Sequence, residues 1–182
     1  MMVADDGKMI KVIFPPEEIQ GRIGDLAAEI AAAEMRDMLV VAVLKGSFVF
    51  AADLIRALHV AGLSPQVDFV SLSSYGAGTE SSGQVKILRD VDLDVSGRDV
   101  LLVDDILESG RTLSFAKQLL ENRGARRVAS CVLLNKPIER SVAIEADFVA
   151  FTCPDLFVVG YGMDKAYRYR ELPFVGYIEQ EE

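Results

Sequence analysis

Apolar residues along the chain fall into two recurring patterns. After Pro15 and Pro16, residues Ile19, Ile23, Leu26, Ala27 and Ile30 recur at helical spacing, which predicts an N-terminal helix with proline in its first turn. Leu39 to Leu44 (LVVAVL) is instead continuously apolar and β-branched, as a strand buried on both faces would be. Lys45-Gly46-Ser47 breaks it, and Phe48 to Leu58 reads as a helix. Val67 to Ser73 is a second predicted strand, Val100 to Asp105 a third and Val128 to Leu134 a fourth; between the last two lies an amphipathic helix, Thr112 to Asn122, closed by Gly124. Unbroken apolar strands alternating with helices predict an α/β fold with a mainly parallel sheet covered on both sides. In such sheets ligands sit beyond the carboxyl ends of the strands. The stretches to search are therefore Lys45 to Ser47, Ser73 to Gly83, Asp104 to Thr112 and the turn after Leu134.

Composition narrows the classes. With 182 residues, 51% of them hydrophobic, the chain can bury a large core as one domain spanning 1–182. There is no internal repeat, low-complexity tract or linker rich in Pro, Gly and Ser. No apolar run approaches the ~18 residues of a membrane span, and Met1 to Met9 lacks the basic and hydrophobic regions of a secretion signal, so a cytoplasmic protein with no membrane partner is expected. Cys131 and Cys153 have neither metal-ligand nor CxxC spacing and read as reduced structural thiols. A formal net charge of −9 speaks against a nucleic-acid partner, because that affinity rests on Lys and Arg displacing counterions. A small anion in a locally positive pocket remains compatible with it. His59 stands alone in the sequence, which excludes a Ser-His-Asp or Cys-His hydrolase.

The densest chemistry lies in VLLVDDILESGRTL, Val100 to Leu113. Neighbouring residues of a regular strand point to opposite faces, so Asp104 and Asp105 can serve one ligand only if the backbone turns there, as it would on leaving the sheet. Two acids in that place suit vicinal hydroxyls, which donate hydrogen bonds, or a hard divalent cation; a solvated loop capping the next helix is the plain alternative. Ser109-Gly110-Arg111-Thr112 favours the ligand. Glycine permits a tight turn, successive amides then face inward at a helix N-terminus, and the two hydroxyls add donors, which together suit a phosphate monoester. The GxxxxGK[ST] spacing of a Walker A loop is absent.

DDILESGRTL between an apolar strand and a helix resembles the phosphoribosyl-diphosphate (PRPP) motif of type I phosphoribosyltransferases. LKGSFVF after the first strand, SSYG after the second, LLNKP after the fourth, and PDLFVVGYGMD followed by YRYREL are similar, in order and interval, to the hypoxanthine(-guanine) phosphoribosyltransferase family. The resemblance runs from about Val12 to Ile178. It implies a core over about 15–160 and a small hood built from about 9–14 and 161–182.

The resemblance also implies a reaction and a set of roles. Ribose 5-phosphate would pass from PRPP to a 6-oxopurine, hypoxanthine and guanine by expectation, with release of pyrophosphate and with oxocarbenium character at the anomeric carbon. Asp104 and Asp105 would hold the ribose hydroxyls, directly or through Mg²⁺, and stabilise positive charge on the ring. Glu108, Ser109, Gly110, Arg111 and Thr112 would bind the 5-phosphate; Lys45, Gly46 and Arg170 would meet the pyrophosphate, the former in a loop that often carries a non-proline cis peptide. Asp164 matches the family's metal-associated aspartate, completing a set with Asp104 and Asp105, and also borders the purine site. Phe157 would stack on the base, the Val158 backbone would read its edge, and Lys136 would donate to the oxygen at C6, disfavouring adenine. On residue type alone, Phe157 belongs in a core and Lys136 on a solvated surface. Ser74, Tyr75 and the stretch to Gly83 resemble the family's mobile loop, which would exclude water. A homodimer or homotetramer is the family expectation; Tyr167, Tyr169 and Tyr177 are compatible with the hood and with a subunit contact.

One departure stands out. Where the family ordinarily has Asp as the candidate general base for the purine nitrogen proton, this chain has Glu108, whose extra methylene moves the carboxylate by roughly 1 Å, a displacement that can cost up to ~100-fold where geometry is strict. Asp104, where many relatives have Glu, keeps the acidic pair. Two other classes compete with this reading. A non-catalytic PRPP- or nucleotide-sensing regulator on the same scaffold would carry an added DNA-binding domain or a basic face, and this acidic chain shows neither. A phosphoacceptor receiver domain would rest on Val103-Asp104-Asp105 alone and leave the phosphate-loop donors unexplained.

Overall fold

The structure, a computed structural model, describes residues 2–3, 9–74 and 85–179. In chain order the elements are Met2–Val3 (β1), Met9–Phe14 (β2), Pro16–Ala32 (α1), Leu39–Leu44 (β3), Phe48–Val60 (α2), Gln66–Ser74 (β4), Val85–Arg89 (β5), Asp99–Leu107 (β6), Arg111–Asn122 (α3), Arg127–Asn135 (β7), Phe148–Thr152 (β8), Val158–Val159 (β9) and Val175–Ile178 (β10). A six-stranded sheet has the order β5-β4-β3-β6-β7-β8, parallel throughout except for β5, which runs antiparallel to β4. The alternation of side chains explains the unbroken apolar strands. Val40, Ala42, Leu101 and Val103 face one core with Ile19, Leu26, Phe50 and Leu54 of α1 and α2. Leu39, Val41, Val100 and Leu102 face a second core with Leu113, Ala116 and Leu120 of α3. The five apolar positions expected to bury α1 are its five buried residues, and Pro16 occupies its first turn.

Edges and loops are closed by side chains with defined partners. Arg22 of α1 donates to the Val149 and Ala150 carbonyls at 2.8 and 2.9 Å, capping part of edge strand β8. Asp68 is buried on β4 and accepts the amides of Phe69, Asp92 and Leu93 at 2.7, 2.7 and 2.9 Å, which pins the connection from β5 to β6. Cys131 and Cys153 are free and buried, and no helix among the described residues is long and apolar enough to cross a membrane. His59 is exposed in the last turn of α2.

A second, antiparallel sheet, β1-β2-β10-β9, forms the hood over Ile10, Val159, Tyr169, Leu172, Phe174 and Ile178. Tyr169 thus packs inside the hood while Tyr167 is exposed. Phe14 stacks on Phe151 of β8 with ring centroids 4.3 Å apart, joining hood to sheet.

One sequence expectation needs correction. The chain does not leave the sheet at Asp104-Asp105; β6 continues to Leu107, because β7 pairs with it as far as Asn135. Its pairing with β3 has already ended at Val103. The acidic pair therefore lies on a strand still paired with β7 but no longer hydrogen-bonded to β3, although β3 itself runs on to Leu44 beside it.

Asp68→Ala is expected to lower the free energy of unfolding by about 1–3 kcal/mol in a urea titration, because it removes the buried acceptor shared by three amides, whereas Leu88→Ala on exposed β5 should change it by less than about 0.5 kcal/mol.

Candidate active site

The end of β6, paired with β7 but no longer with β3, holds two carboxylates in little space. Asp104 is buried and Asp105 half-buried, and each folds back on the chain: the Asp105 amide donates to Asp104 Oδ1 at 2.9 Å and the Ile106 amide to Asp105 Oδ1 at 2.8 Å. Burial holds the Asp104 carboxyl well above the usual carboxylate range, and the adjacent Asp105 charge adds to it. Burial raises Asp105 too, opposed by hydrogen bonds from Asp104 and the Ile106 amide and by the Arg170 charge. Such a pair calls for a cation or for hydroxyl donors. It fits Mg²⁺, a hard ion commonly bound by one or two carboxylates with substrate oxygens and water completing the shell. Among the described residues no three His, Cys, Asp or Glu side chains gather to hold an ion unaided.

Beside the pair, the chain turns through Glu108 and Ser109 to Gly110, which precedes α3 at φ +79°. Only glycine suits this place, since a Cβ would meet Ile144 Cγ2 and the Val142 carbonyl at 2.7 Å, both in the connection from β7 to β8. That connection braces the loop from behind, with the Val142 amide donating to the Ser109 carbonyl at 3.2 Å. Gly110 offers α3 no side-chain cap and the Arg111 amide donates to the Ser109 hydroxyl at 3.4 Å, while Ser109, Gly110 and Thr112 border a crevice of about 270 Å³ together with Lys45, Gly46, Asp104 and Asp105. Arg111 lies exposed at the first helical position.

The opposite wall comes from the turn after β3. The Leu44–Lys45 peptide is cis, as the resemblance implied. Gly46 lies so close to Asp105 that a Cβ there would overlap its carboxylate. Ser47 is buried, its hydroxyl donating to the Val43 carbonyl, while Lys45 is exposed with its ammonium 5.3 Å from the centre of the Tyr167 ring. From the hood, Arg170 donates to the Gly162 carbonyl at 2.6 Å and pairs with Asp164 at 2.8 Å; Asp164 also accepts the Tyr167 amide at 2.7 Å.

A second crevice, of about 460 Å³, opens from the first and shares Asp105, Ile106 and Glu108 with it. Its other walls include Lys136, Phe157, Val158 and Asp164. Here the usual partition of residue types is inverted: Phe157 is 60% exposed and Lys136 only 5%. The Lys136 ammonium lies 3.2 Å from Glu108 and 3.5 Å from Asp155, and the Lys136 amide donates to the Leu107 carbonyl at 3.1 Å.

The structure thus gathers Lys45, Gly46, Asp104, Asp105, Glu108 to Gly110, Thr112, Lys136, Phe157, Val158 and Asp164 around two contiguous crevices, with Arg170 tied to their rim through Asp164. Ser74 ends β4, and its side chain, with Tyr75 and the stretch to Gly83, lies outside the described residues. Sequence reasoning missed Asp155, although its position two residues before Phe157 placed it beside the base platform. It also missed Arg140, which donates to the Asn135 side chain and to the Lys136 carbonyl and so holds the lysine's backbone. Nothing in the local pattern marks that arginine.

Comparison with known proteins bears on the same residues. Residues 15–166 match the family described as phosphoribosyl transferase domain. Hypoxanthine phosphoribosyltransferase of Escherichia coli K12 is 45% identical over 170 residues, which cover 92% of this chain and 94% of that protein. The bifunctional protein TilS/HprT of Listeria innocua is 48% identical over 94% of this chain, which spans 26% of that longer protein. A crystal structure of a hypoxanthine-guanine phosphoribosyltransferase from Bacillus anthracis superposes with a TM-score of 0.86 at 43% identity, covering 94% of this chain and all of that one. A motif predicted from residue chemistry, a parallel sheet that places it at a strand's carboxyl end, and a match over most of the sequence agree: the chain belongs to the phosphoribosyltransferase family.

Proposed function

We propose that this protein transfers ribose 5-phosphate from PRPP to hypoxanthine and guanine, giving IMP or GMP and pyrophosphate. The observation that carries this reading is the pair of contiguous crevices meeting at Asp105 and Glu108, one bordered by acids and helix amides, the other by an exposed phenylalanine and a buried lysine. The first suits a pentose phosphate and the second a flat base with an oxygen acceptor. The names of the similar proteins support the same substrates.

In this reading the amides at the start of α3 and the hydroxyls of Ser109 and Thr112 hold the 5-phosphate, while Asp104 and Asp105 accept the ribose hydroxyls. Mg²⁺, when bound, would be held by Asp104 and Asp105, with Asp164 a further candidate that here pairs with Arg170, and would supply positive charge to the leaving group. Lys45, the Gly46 backbone and Arg170 neutralise the leaving group as the bond from C1′ to the pyrophosphate oxygen breaks and that oxygen takes the electron pair. The nearby carboxylates stabilise the positive ring until the purine nitrogen bonds to C1′. Phe157 stacks on the base and Lys136 donates to its C6 oxygen. That contact releases Glu108 from Lys136, and Glu108 takes the proton the purine nitrogen loses; Asp155 remains to pair the lysine. A glutamate suits this exchange, because its length lets one carboxylate reach either partner.

The test is a steady-state assay with PRPP and Mg²⁺ against hypoxanthine, guanine, xanthine and adenine. Turnover of 6-oxopurines with adenine rejected is the expected result. Lys136→Met should lower kcat/KM for hypoxanthine by at least about tenfold and narrow the margin over adenine, and Glu108→Gln should lower kcat by about 100-fold or more. A Glu108→Gln variant matching the parent at every pH would contradict the assignment of the base, and a preference for adenine that of Lys136.

The acidic pair also predicts a pH signature. In the folded chain Asp104 holds its proton more tightly than at its ordinary value of 3.8 in the unfolded chain, so unfolding releases a proton and the carboxyl's contribution to stability falls as pH rises. Without Mg²⁺ and PRPP, Asp104→Asn should therefore raise Tm over the parent at pH 8. The gain should hold while pH stays above the raised folded value, shrink as pH falls from there toward 3.8 and vanish below it, while PRPP turnover is impaired. Thermal melts of both proteins between pH 4 and 8 check the sign; a stabilisation that grows toward acid would refute it.

A further inference from the structure

The two walls of the leaving-group end come from distant parts of the chain, Lys45-Gly46 just before α2 and Arg170 in the hood. Their meeting point is the turn Tyr161-Gly162. Gly162, at φ +98°, lies against the Gly46 carbonyl so closely that a Cβ would collide with it. The Gly162 carbonyl accepts from the Arg170 guanidinium at 2.6 Å, the Gly162 amide donates to the Arg170 carbonyl at 3.0 Å, and the Tyr161 amide donates to the Leu172 carbonyl at 2.8 Å. One turn thus backs the glycine of one wall and holds the arginine of the other.

That turn is not relaxed by itself. Tyr161 carries φ +50°, a region an aromatic residue enters only when its surroundings compel it, at a cost of about 1–3 kcal/mol. Its side chain is buried, and its hydroxyl donates to Asp53 Oδ2 on α2, the helix that starts directly after Lys45-Gly46-Ser47. The other Asp53 oxygen accepts from Arg56 on the same helix, which fixes the carboxylate from behind. Burial and the Asp53 charge push the Tyr161 pKa far up, so the hydroxyl remains a donor across the working range. Neither Asp53 nor Tyr161 borders the acid pair or the base crevice.

We propose that Tyr161, anchored through Asp53, is a positioning residue for the pyrophosphate end: it locks the hood turn to α2 and thereby sets the spacing between Arg170 and the Lys45-Gly46 loop. This rests on the reading of Arg170 and Lys45-Gly46 as the pyrophosphate side. Two walls that neutralise one multiply charged group must keep a fixed separation, and a shift of about 1 Å in such a clamp can cost on the order of 100-fold.

The test compares Tyr161→Phe, Asp53→Ala, Asp53→Asn, the double variant Tyr161→Phe/Asp53→Ala, and Arg170→Gln. Tyr161→Phe keeps the packed ring and removes only the hydroxyl, and Asp53→Asn keeps an acceptor oxygen. Tyr161→Phe and Asp53→Ala should each raise KM for PRPP, and Kd for pyrophosphate with Mg²⁺ by calorimetry, roughly tenfold, leaving KM for hypoxanthine within about twofold. The double variant should be no worse than either single change, and Asp53→Asn should recover most of what Asp53→Ala loses. An equal rise in both KM values, or additive losses in the double variant, would overturn the proposal as mere loosening of the fold. Parent-like kinetics in Tyr161→Phe with a PRPP defect in Arg170→Gln would overturn the strut alone. Parent-like kinetics in both would overturn the strut together with the role given to Arg170.

Discussion

Two neighbouring carboxylates held out of water at the end of a buried strand set the terms for everything around them. Burying like charges side by side is unfavourable unless donors or a cation compensate, and here both carboxyls are pushed upward by their burial. The fold supplies the arrangement through an imbalance of pairing on the two sides of β6. Because β7 keeps pairing with β6 beyond the point where the β3–β6 pairing ends, Asp104 and Asp105 keep the order of a strand while their backbone on the β3 side stays unpaired with it. The turn after β3 then brings Gly46 against Asp105, where no side chain would fit. What the protein alone leaves uncompensated, a ribose with two hydroxyls and a bound cation can satisfy.

The remaining groups divide around that pair by chemistry. In the proposed reading, negative charge on the ligand would be met by amides at the start of α3 on one side and by Lys45 and Arg170 on the other. The base would be met by a reversal of ordinary burial, an aromatic ring in solvent and an ammonium in the interior. Lys136 can stay inside because it has two acid partners, and of these Glu108 is the one that borders both crevices. The glutamate at position 108 is therefore in contact with the lysine proposed to set the base preference.

Much of this was legible in the sequence because it depends on local pattern. The strand Leu39–Leu44 and the five buried positions of α1 follow from periodicity alone, and the loop from Glu108 to Thr112 follows from glycine and hydroxyl chemistry beside a helix start. The continuation of β6 past the acids was not legible, since it depends on how far a neighbouring strand extends. Nor were the partners of buried groups: Asp155 beside Lys136, Arg140 behind it, and Asp53 under Tyr161 are separated from their partners by loops or by whole elements. Phe157 and Lys136 illustrate the limit most clearly, because residue type argues for the opposite placement in each case and only the family resemblance pointed to the arrangement observed.

The central claim is that the paired acids and the amides at the start of α3 grip opposite ends of one pentose. A crystal structure of the protein with ribose 5-phosphate and Mg²⁺ tests it most directly. The account predicts sugar hydroxyls against Asp104 and Asp105 with the phosphate on the loop from Glu108 to Thr112. Density for the sugar elsewhere, or that crevice filled by side chains of the protein with the ligand present, would contradict it.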